Sequence, residues 1–269
     1  MGKFDGVLIA SDLDGTLYNR EKKVSEETLK AIAYFRSEGG LFTISTGRPL
    51  AAFRLLLPSL PPLGPVLTSN GALIYDLEED RRLHFGGLGE EGKEITSFVF
   101  KEFPDMGIAV FLEDEVHQIR YVFDMVDGKA KTYFVPDDVS ITPEEIPYPW
   151  VNVLFTQEAE KLDELHGVLR EKFPQYTYRY SSSDLLEVMP AWANKGIGVL
   201  KLAEMKGIIQ EHIYCIGDYG NDIDMLKISK VAFAPENAQP EILEMADVVV
   251  PDCDRHAVAA MIEHLDKIY

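Results

Sequence analysis

Segments typical of buried strands alternate with segments typical of helices at both ends of the chain. Near the amino terminus, an apolar strand at 7–10, a helix capped by Ser25 and a second strand at 41–45 follow at the spacing of a βαβ unit. The alternation returns late in the chain, with helices predicted at 194–206, 222–228, 240–245 and 256–265 and strands at 213–216, 231–234 and 248–250. Parallel strands joined by helices require a sheet covered by helices. Both ends are therefore predicted to form one Rossmann-like α/β core with a parallel sheet.

The middle of the chain has a different pattern. Helices are predicted at 90–103 and 158–173, and strands at 108–112, 116–123, 150–155 and 176–180. A length of 269 residues is more than one compact domain usually needs. The sequence thus predicts a core formed by residues 1–82 and 187–269, and an inserted α+β domain formed by residues 83–186.

Charge and composition exclude several classes of function. The net charge of −19 argues against a nucleic-acid or anionic-membrane partner, because both need clustered basic residues. The two cysteines, Cys215 and Cys253, show no zinc or disulfide spacing and are expected to be buried. No apolar run approaches the roughly 18 residues of a membrane span, and the apolar run before Ser11 is too short for the hydrophobic region of a signal peptide. We therefore expect a cytoplasmic protein.

Polar residues collect where the predicted parallel strands end. Ligands in open α/β sheets bind at these carboxyl ends, so we expect one site built from distant loops. Its candidate residues are Asp12 and Asp14 after the first strand, Thr46, Gly47 and Arg48 after the second, Asp218, Asn221 and Asp222 after the strand at 213–216, and Lys195 at the start of a helix.

Several carboxylates in one site repel one another unless a cation lies between them. Mg²⁺ prefers oxygen ligands and retains waters beside a few carboxylates. We therefore expect a bound Mg²⁺ as cofactor. With Lys195, it would attract a phosphate into an otherwise acidic pocket, where Thr46 can donate a hydrogen bond.

Four segments, "DLDGT", "STGR", "ANKG" and "GDYGND", resemble in order the motifs of the haloacid dehalogenase superfamily of phosphohydrolases. About 150 residues separate the second motif from the third, where the Cof-type branch of the family carries its cap domain. "SNGA" at 69–72, "LEVMP" at 186–190 and "NDIDML" at 221–226 are also similar to that branch. The resemblance covers essentially the whole chain, and it is loosest in the cap.

The resemblance implies a role for each catalytic candidate. Asp12 would attack phosphorus and form an aspartyl phosphate. Asp14 would protonate the leaving alcohol and then activate water. Thr46 and Lys195 would orient the phosphoryl oxygens. Asp218 would bind Mg²⁺ together with Asp12 and the backbone carbonyl of Asp14.

The remaining candidates have more than one implied role. Asp222 would support the metal from inside or just outside its ligand shell. Asn221 would contact phosphate or order Lys195. Arg48, next to Gly47, would bind substrate or pair with an acid at the domain junction. Thr46 can alternatively cap the helix that follows it.

The predicted function is hydrolysis of phosphomonoesters of small phosphorylated metabolites. Sugar phosphates are the first class, with flavin or pyridoxal phosphates as others. A phosphomutase of the same superfamily and a non-catalytic phosphate-binding module are the alternatives. Oligomeric state is not predicted.

Four further features are left open or given simple explanations. Asn70-Gly71 reads as a simple turn, and the role of Asn237 is open. "DCDRHAV" places His256 where the family commonly has glycine. Phe111, His117, Tyr121 and Phe123 form an aromatic group that alternation on a half-buried hairpin explains.

Overall fold

The computed structural model describes residues 2–61, 63–113, 116–120, 138–139 and 142–269. The chain divides into two compact units. The first contains Met1–Gly47, Leu55–His84 and Asn194–Tyr269, and the second contains Arg48–Arg54 and Phe85–Ala193. The predicted insert at 83–186 overlaps the second unit.

The elements have the following bounds in chain order. The strands are β1 Leu8–Ser11, β2 Leu41–Ile44, β3 Pro65–Thr68, β4 Leu73–Asp76, β5 Arg81–Phe85, β6 Gly107–Phe111, β7 Val116–Arg120, β8 Asp138–Val139, β9 Asn152–Thr156, β10 Tyr176–Ser182, β11 Leu185–Pro190, β12 Ile213–Ile216, β13 Val231–Pro235 and β14 Val248–Val250. The helices are α1 Glu26–Ser37, α2 Leu50–Arg54, α3 Glu91–Glu102, α4 Ala159–Lys172, α5 Lys195–Lys206, α6 Ile223–Ile228, α7 Pro240–Met245 and α8 Ala257–Asp266.

The first unit is built on a five-stranded parallel sheet in the order β14-β13-β12-β1-β2. β1 lies between β12 and β2, the strands that precede two of the other motifs. Ala10 pairs with Cys215 of β12 on one side and with Thr43 of β2 on the other. All four residues of β1 are buried, as expected for a strand covered on both faces. The predicted α/β class with a parallel core sheet is confirmed.

Helix α1 shows how local sequence determines an element of this core. Ser25 caps it, since the Ser25 side chain accepts a hydrogen bond from the Thr28 backbone N–H at 3.2 Å. The predicted cap is confirmed. Ile32 and Phe35 are buried, whereas Ala33 is exposed, because the larger aromatic ring of Phe35 gains more by leaving water.

A second, three-stranded sheet of the first unit was not predicted. β3 and β4 are antiparallel, and β5 lies on the far side of β4. A parallel bridge between Ser45 and Leu67 places the end of β3 beside the end of β2. This arrangement brings the residues after β3 to the edge where the motif residues collect.

The second unit contains a six-stranded sheet in the order β10-β11-β9-β6-β7-β8. α3 and α4 pack on one of its faces, where side chains of α3, α4, β6, β9 and β11 share a buried core around Trp150. β11 was not predicted as a strand, although its residues match the quoted "LEVMP" segment. In the predicted hairpin, residues 114–115 and 121–123, including Tyr121 and Phe123, lie outside the described residues.

Both cysteines are buried as free thiols, as predicted. None of the helices in the described part of the chain has the length and apolar character needed to cross a bilayer.

Candidate active site

The loop after β1 carries Asp12 to the carboxyl edge of the sheet. Its backbone N–H donates to the carbonyl of Ile216 at 2.9 Å, which joins the ends of β1 and β12. Asp12 is only 7 % exposed. Gly15 has a φ of +87°, and a Cβ at this position would lie 2.5 Å from Asp218 Oδ2. Glycine is therefore required here both for the backbone conformation and for the close approach of Asp218.

Lys195 is the cation of the site. It is the first residue of α5, and its side chain is completely buried. Its Nζ donates to Asp12 Oδ1 at 2.5 Å and to Asp222 Oδ1 at 2.6 Å. A buried ammonium group costs free energy unless it is paired and hydrogen-bonded. The two carboxylates satisfy that condition.

Three carboxylates form one group. Oxygens of Asp12, Asp218 and Asp222 all lie within 4.8 Å of one another. Thr16 donates to Asp218 Oδ1 at 2.8 Å. This brings residues from the first and fourth motifs together, although they are about 200 positions apart in the chain.

The carboxylate of Asp222 accepts three hydrogen bonds from groups of the protein. Its Oδ1 accepts from Lys195, and its Oδ2 accepts from the backbone N–H groups of Asp218 at 2.9 Å and Tyr219 at 3.0 Å. Gly217 makes this approach possible, because a Cβ there would lie 2.4 Å from Asp222 Cγ. Asp222 therefore holds the loop that carries Asp218 and also holds Lys195.

Burial and charge shift the pKa values of this group. Burial raises the pKa of Asp12 well above its usual range; Lys195 opposes this, and the carboxylates of Asp222 and Asp218 add to it. Burial raises the pKa of Asp218 to about 6, the hydrogen bond from Thr16 lowers it, and Asp222 raises it. Burial disfavours the charged form of Lys195, but Asp12 and Asp222 outweigh it and raise its pKa.

The donor set fits Mg²⁺. The clustered groups are hard carboxylate oxygens with no sulfur or imidazole among them, which is the ligand type that Mg²⁺ selects. Besides burial, neighbouring carboxylates also raise the pKa values of Asp12 and Asp218, so these groups repel one another even with Lys195 present. A divalent cation would offset this repulsion.

Asp14 lies apart from the three clustered carboxylates. Its side chain is 34 % exposed, and its Oδ1 accepts a hydrogen bond from Lys22 Nζ at 2.8 Å. Lys22 has a left-handed backbone with φ +59° in the turn before α1. The side chain of Asp14 is thus half-buried and partly accessible to solvent.

Thr46, Gly47 and Asn221 meet at a residue that was predicted to be only part of a turn. Asn221 Nδ2 donates to Asn70 Oδ1 at 3.0 Å, and the Asn70 N–H donates to the Thr46 carbonyl at 2.9 Å. A Cβ on Gly47 would lie 3.3 Å from Asn70 Oδ1. Lys195 donates to Asp12 and Asp222, whereas Asn221 donates to Asn70, so these hydrogen bonds join Asn221 to the turn after β3 and not to Lys195. Arg48 begins the segment Arg48–Arg54 of the second unit, and its substrate role stays a prediction.

Asn237 and His256 also have structural explanations. Asn237 Nδ2 donates to the Gly15 carbonyl at 2.8 Å, and its Oδ1 accepts from the Cys253 N–H at 2.8 Å. Asn237 therefore fastens the loop after β1 to the segment before α8. His256 has a φ of +66°, which explains why glycine is common at this position, and its ring shares a hydrogen bond with the Ser25 hydroxyl at 2.8 Å.

The chain belongs to the haloacid dehalogenase-like hydrolase family, whose model matches residues 9–262. Two relatives from Bacillus subtilis match almost end to end. The putative phosphatase YxeH is 28 % identical, with 96 % of this chain and 97 % of the relative covered. The 5-amino-6-(5-phospho-D-ribitylamino)uracil phosphatase YcsE is 30 % identical, with 96 % and 94 % covered.

Solved structures of the family share this fold. A haloacid dehalogenase-like hydrolase from Bacteroides thetaiotaomicron superimposes with a TM-score of 0.84 at 23 % identity, with 98 % of this chain and 100 % of that chain covered. One from B. subtilis superimposes with a TM-score of 0.81 at 26 % identity, with 96 % and 99 % covered. The predicted family and the predicted enzyme class, a phosphoric monoester hydrolase, are confirmed.

Proposed function

We propose that this enzyme is a Mg²⁺-dependent phosphatase that hydrolyses phosphomonoesters of small metabolites through an aspartyl phosphate. The observation that carries the proposal is the position of Lys195 Nζ, 2.5 Å from Asp12 and 2.6 Å from Asp222, inside the group of carboxylates that includes Asp218. A buried ammonium beside a buried carboxylate orients that carboxylate and attracts an anionic substrate to it.

In the first step, a carboxylate oxygen of Asp12 forms a bond to phosphorus as the bond from phosphorus to the leaving oxygen breaks. Asp14 transfers its proton to that oxygen, so the product is a neutral alcohol. In the second step, Asp14 takes a proton from water, whose oxygen attacks phosphorus and releases Asp12 and inorganic phosphate. The hydrogen bond from Lys195 sets the rotation of the Asp12 carboxylate for the attack.

Asp12 and Asp218 would hold Mg²⁺ together with the backbone carbonyl of Asp14. When bound, the ion would offset charge on the phosphoryl oxygens and allow an anion to approach these carboxylates. Asp222 would act through Lys195 and the backbone of Asp218, because both of its oxygens already accept hydrogen bonds. Thr46, Gly47 and Asn221 would bind the phosphoryl oxygens.

Sugar phosphates are the proposed substrate class, and residues 83–186 are proposed to act as the cap that selects the leaving group. A protein of the same fold, BT4131, is named a sugar phosphatase, and YcsE is named for a phosphorylated ribityl compound. Both names describe sugar-like or polyol phosphates, and this supports testing that class first.

Release of phosphate from para-nitrophenyl phosphate tests the reaction. We expect Mg²⁺-dependent release by the unmodified enzyme, its loss with a chelator, and its loss in Asp12→Asn. A panel of sugar phosphates, flavin mononucleotide and pyridoxal phosphate then tests the substrate class. Failure to release phosphate while still binding it would favour a non-catalytic phosphate-binding module. Transfer of the phosphoryl group to a second sugar hydroxyl would favour a phosphomutase.

A further inference from the structure

The turn after β3 has a rare backbone conformation. Ser69, Asn70 and Gly71 have φ values of +47°, +53° and +87°, so three successive residues are left-handed and two of them are not glycine. Ser69 and Asn70 are also buried. Left-handed residues other than glycine are uncommon, and they concentrate at functional sites where surrounding contacts hold them.

The turn is not arranged for stability alone. Within the described residues, the hydroxyl oxygens of Thr68 and Ser69 are buried without a hydrogen-bond partner. Buried polar atoms without partners destabilise the folded state. A turn that served only to connect β3 with β4 would be more stable with apolar or glycine residues here.

Asn70 instead contacts Thr46 and Asn221, two of the residues that are proposed to bind phosphate. Its N–H donates to the Thr46 carbonyl at 2.9 Å, and its side-chain oxygen accepts from Asn221 Nδ2 at 3.0 Å. The position that a Gly47 Cβ would take lies 3.3 Å from the same oxygen. One residue of β3's turn therefore contacts loops that follow β2 and β12.

A carboxamide has two N–H bonds in one plane. When one N–H of Asn221 points to Asn70 Oδ1, the direction of the other is determined. We infer that Asn70 is a positioning residue for phosphate binding: it directs the second N–H of Asn221 to the phosphoryl group and holds the Thr46 loop beside it. The inference rests on the proposed function and adds a residue to its binding site.

The test is Asn70→Gly, because glycine adopts the left-handed backbone without strain and lacks the carboxamide together with its Cβ. Binding of inorganic phosphate in the presence of Mg²⁺ is measured by calorimetry, with unfolding temperature as a check on the fold. We expect about a tenfold weaker phosphate affinity, with a cooperative unfolding transition retained. Asn221→Ala should weaken binding similarly, and the double variant should lose little more than either single variant, because both act through one hydrogen bond.

Asp80→Gly is the matched control. Asp80 is also a left-handed non-glycine residue, with φ +46°, and its carboxylate also accepts a side-chain hydrogen bond, from Tyr75. The Asp80→Gly variant should bind phosphate with the affinity of the unmodified enzyme. The inference is overturned if Asn70→Gly stays within about twofold of the unmodified affinity, or if its loss adds fully to that of Asn221→Ala.

Calorimetry separates this inference from the proposed function, because it does not require turnover. An enzyme without phosphatase activity that binds phosphate through Asn70 would contradict the proposed function and keep the inference. An active enzyme whose phosphate affinity does not change in Asn70→Gly would support the proposed function and contradict the inference. No phosphate binding by the unmodified protein would overturn the inference, and it would overturn the proposed function only if phosphate release were also absent.

Discussion

Lys195 holds a positive charge at a position that water does not reach, and its stability depends on Asp12 and Asp222. The dependence is mutual, since Lys195 is the cation that both carboxylates contact. Removing one partner of a buried ion pair leaves the other charge uncompensated.

Lys195→Met should therefore lower the free energy of unfolding by about 3–5 kcal/mol near neutral pH and abolish activity. Lys201→Met on the same helix is the control, because Lys201 is exposed and paired with Glu204, and we expect a change below about 1 kcal/mol. Urea denaturation measures both values. Equal losses for the two variants would contradict a buried, paired Lys195.

A glycine can be needed for a left-handed backbone or for the close approach of a neighbouring group, and comparing Gly15 with Gly207 distinguishes these two needs. Both have left-handed backbones, with φ values of +87° and +67°, but only Gly15 has Asp218 against it, since nothing lies within 4 Å of a Cβ on Gly207. Gly15→Ala and Gly207→Ala should each destabilise the protein by about 1 kcal/mol or more. Only Gly15→Ala should lower kcat/KM, by about tenfold or more, because it displaces Asp218. A normal kcat/KM in Gly15→Ala would show that Asp218 tolerates displacement.

At the scale of elements, the start of α5 determines where Lys195 lies. Asn194 caps the helix by accepting from the Ile197 N–H at 2.8 Å. Gly71 packs against it so closely that a Cβ there would lie 2.5 Å from the Asn194 carbonyl oxygen. The cap and the close packing together locate the first turn of the helix.

Asn194→Ala should cost about 1 kcal/mol of stability and should also reduce kcat, because the first turn that carries Lys195 loosens. Ser25→Ala removes an equivalent cap from α1, which carries none of the site residues. It should cost a similar amount and leave kcat unchanged. Thermal unfolding and steady-state kinetics on both variants check this, and a parallel loss of kcat in Ser25→Ala would show a general effect of stability.

At the scale of the whole molecule, the chain carries a net charge of −19, and three of the carboxylates that contribute to it are clustered in the site. A cation that binds only the folded state stabilises it by mass action. Binding also requires deprotonated carboxylates.

Mg²⁺ at about 100 times its dissociation constant should raise the free energy of unfolding by about 2.7 kcal/mol. The gain should be smaller at about pH 5 than at about pH 8, because the pKa of Asp218 is raised to about 6 and its protonated form competes with the ion. Without Mg²⁺, the contribution of Asp218 to the free energy of unfolding changes with pH in the opposite direction. A raised folded-state pKa means that Asp218 contributes less stability as pH rises through about 6.

Thermal unfolding at constant ionic strength measures this gain, with Asp218→Asn and with NaCl in place of Mg²⁺ as controls. An equal gain from NaCl would indicate screening of the net charge rather than a bound ion.

The local part of this architecture could be predicted from sequence because it depends on near neighbours. Caps such as Ser25 and short apolar strands such as β12 are read from a few adjacent residues. The order of the four motifs likewise predicted that Asp12, Lys195, Asp218 and Asp222 meet. The three-stranded sheet β3-β4-β5 was missed because its short strands carry no alternation that separates them from the turns around them.

The sequence by itself determined the identity of the charged groups and the alternation that builds a parallel sheet. Only the tertiary structure decided how those groups are used. Three hydrogen bonds join segments far apart in the chain: Lys195 to Asp222, Asn237 to the Gly15 carbonyl, and Asn221 to Asn70. The physical reason is that the hydrogen-bond partners of buried side chains depend on which loops meet at the sheet edge. A local sequence pattern does not specify which distant loops will meet there.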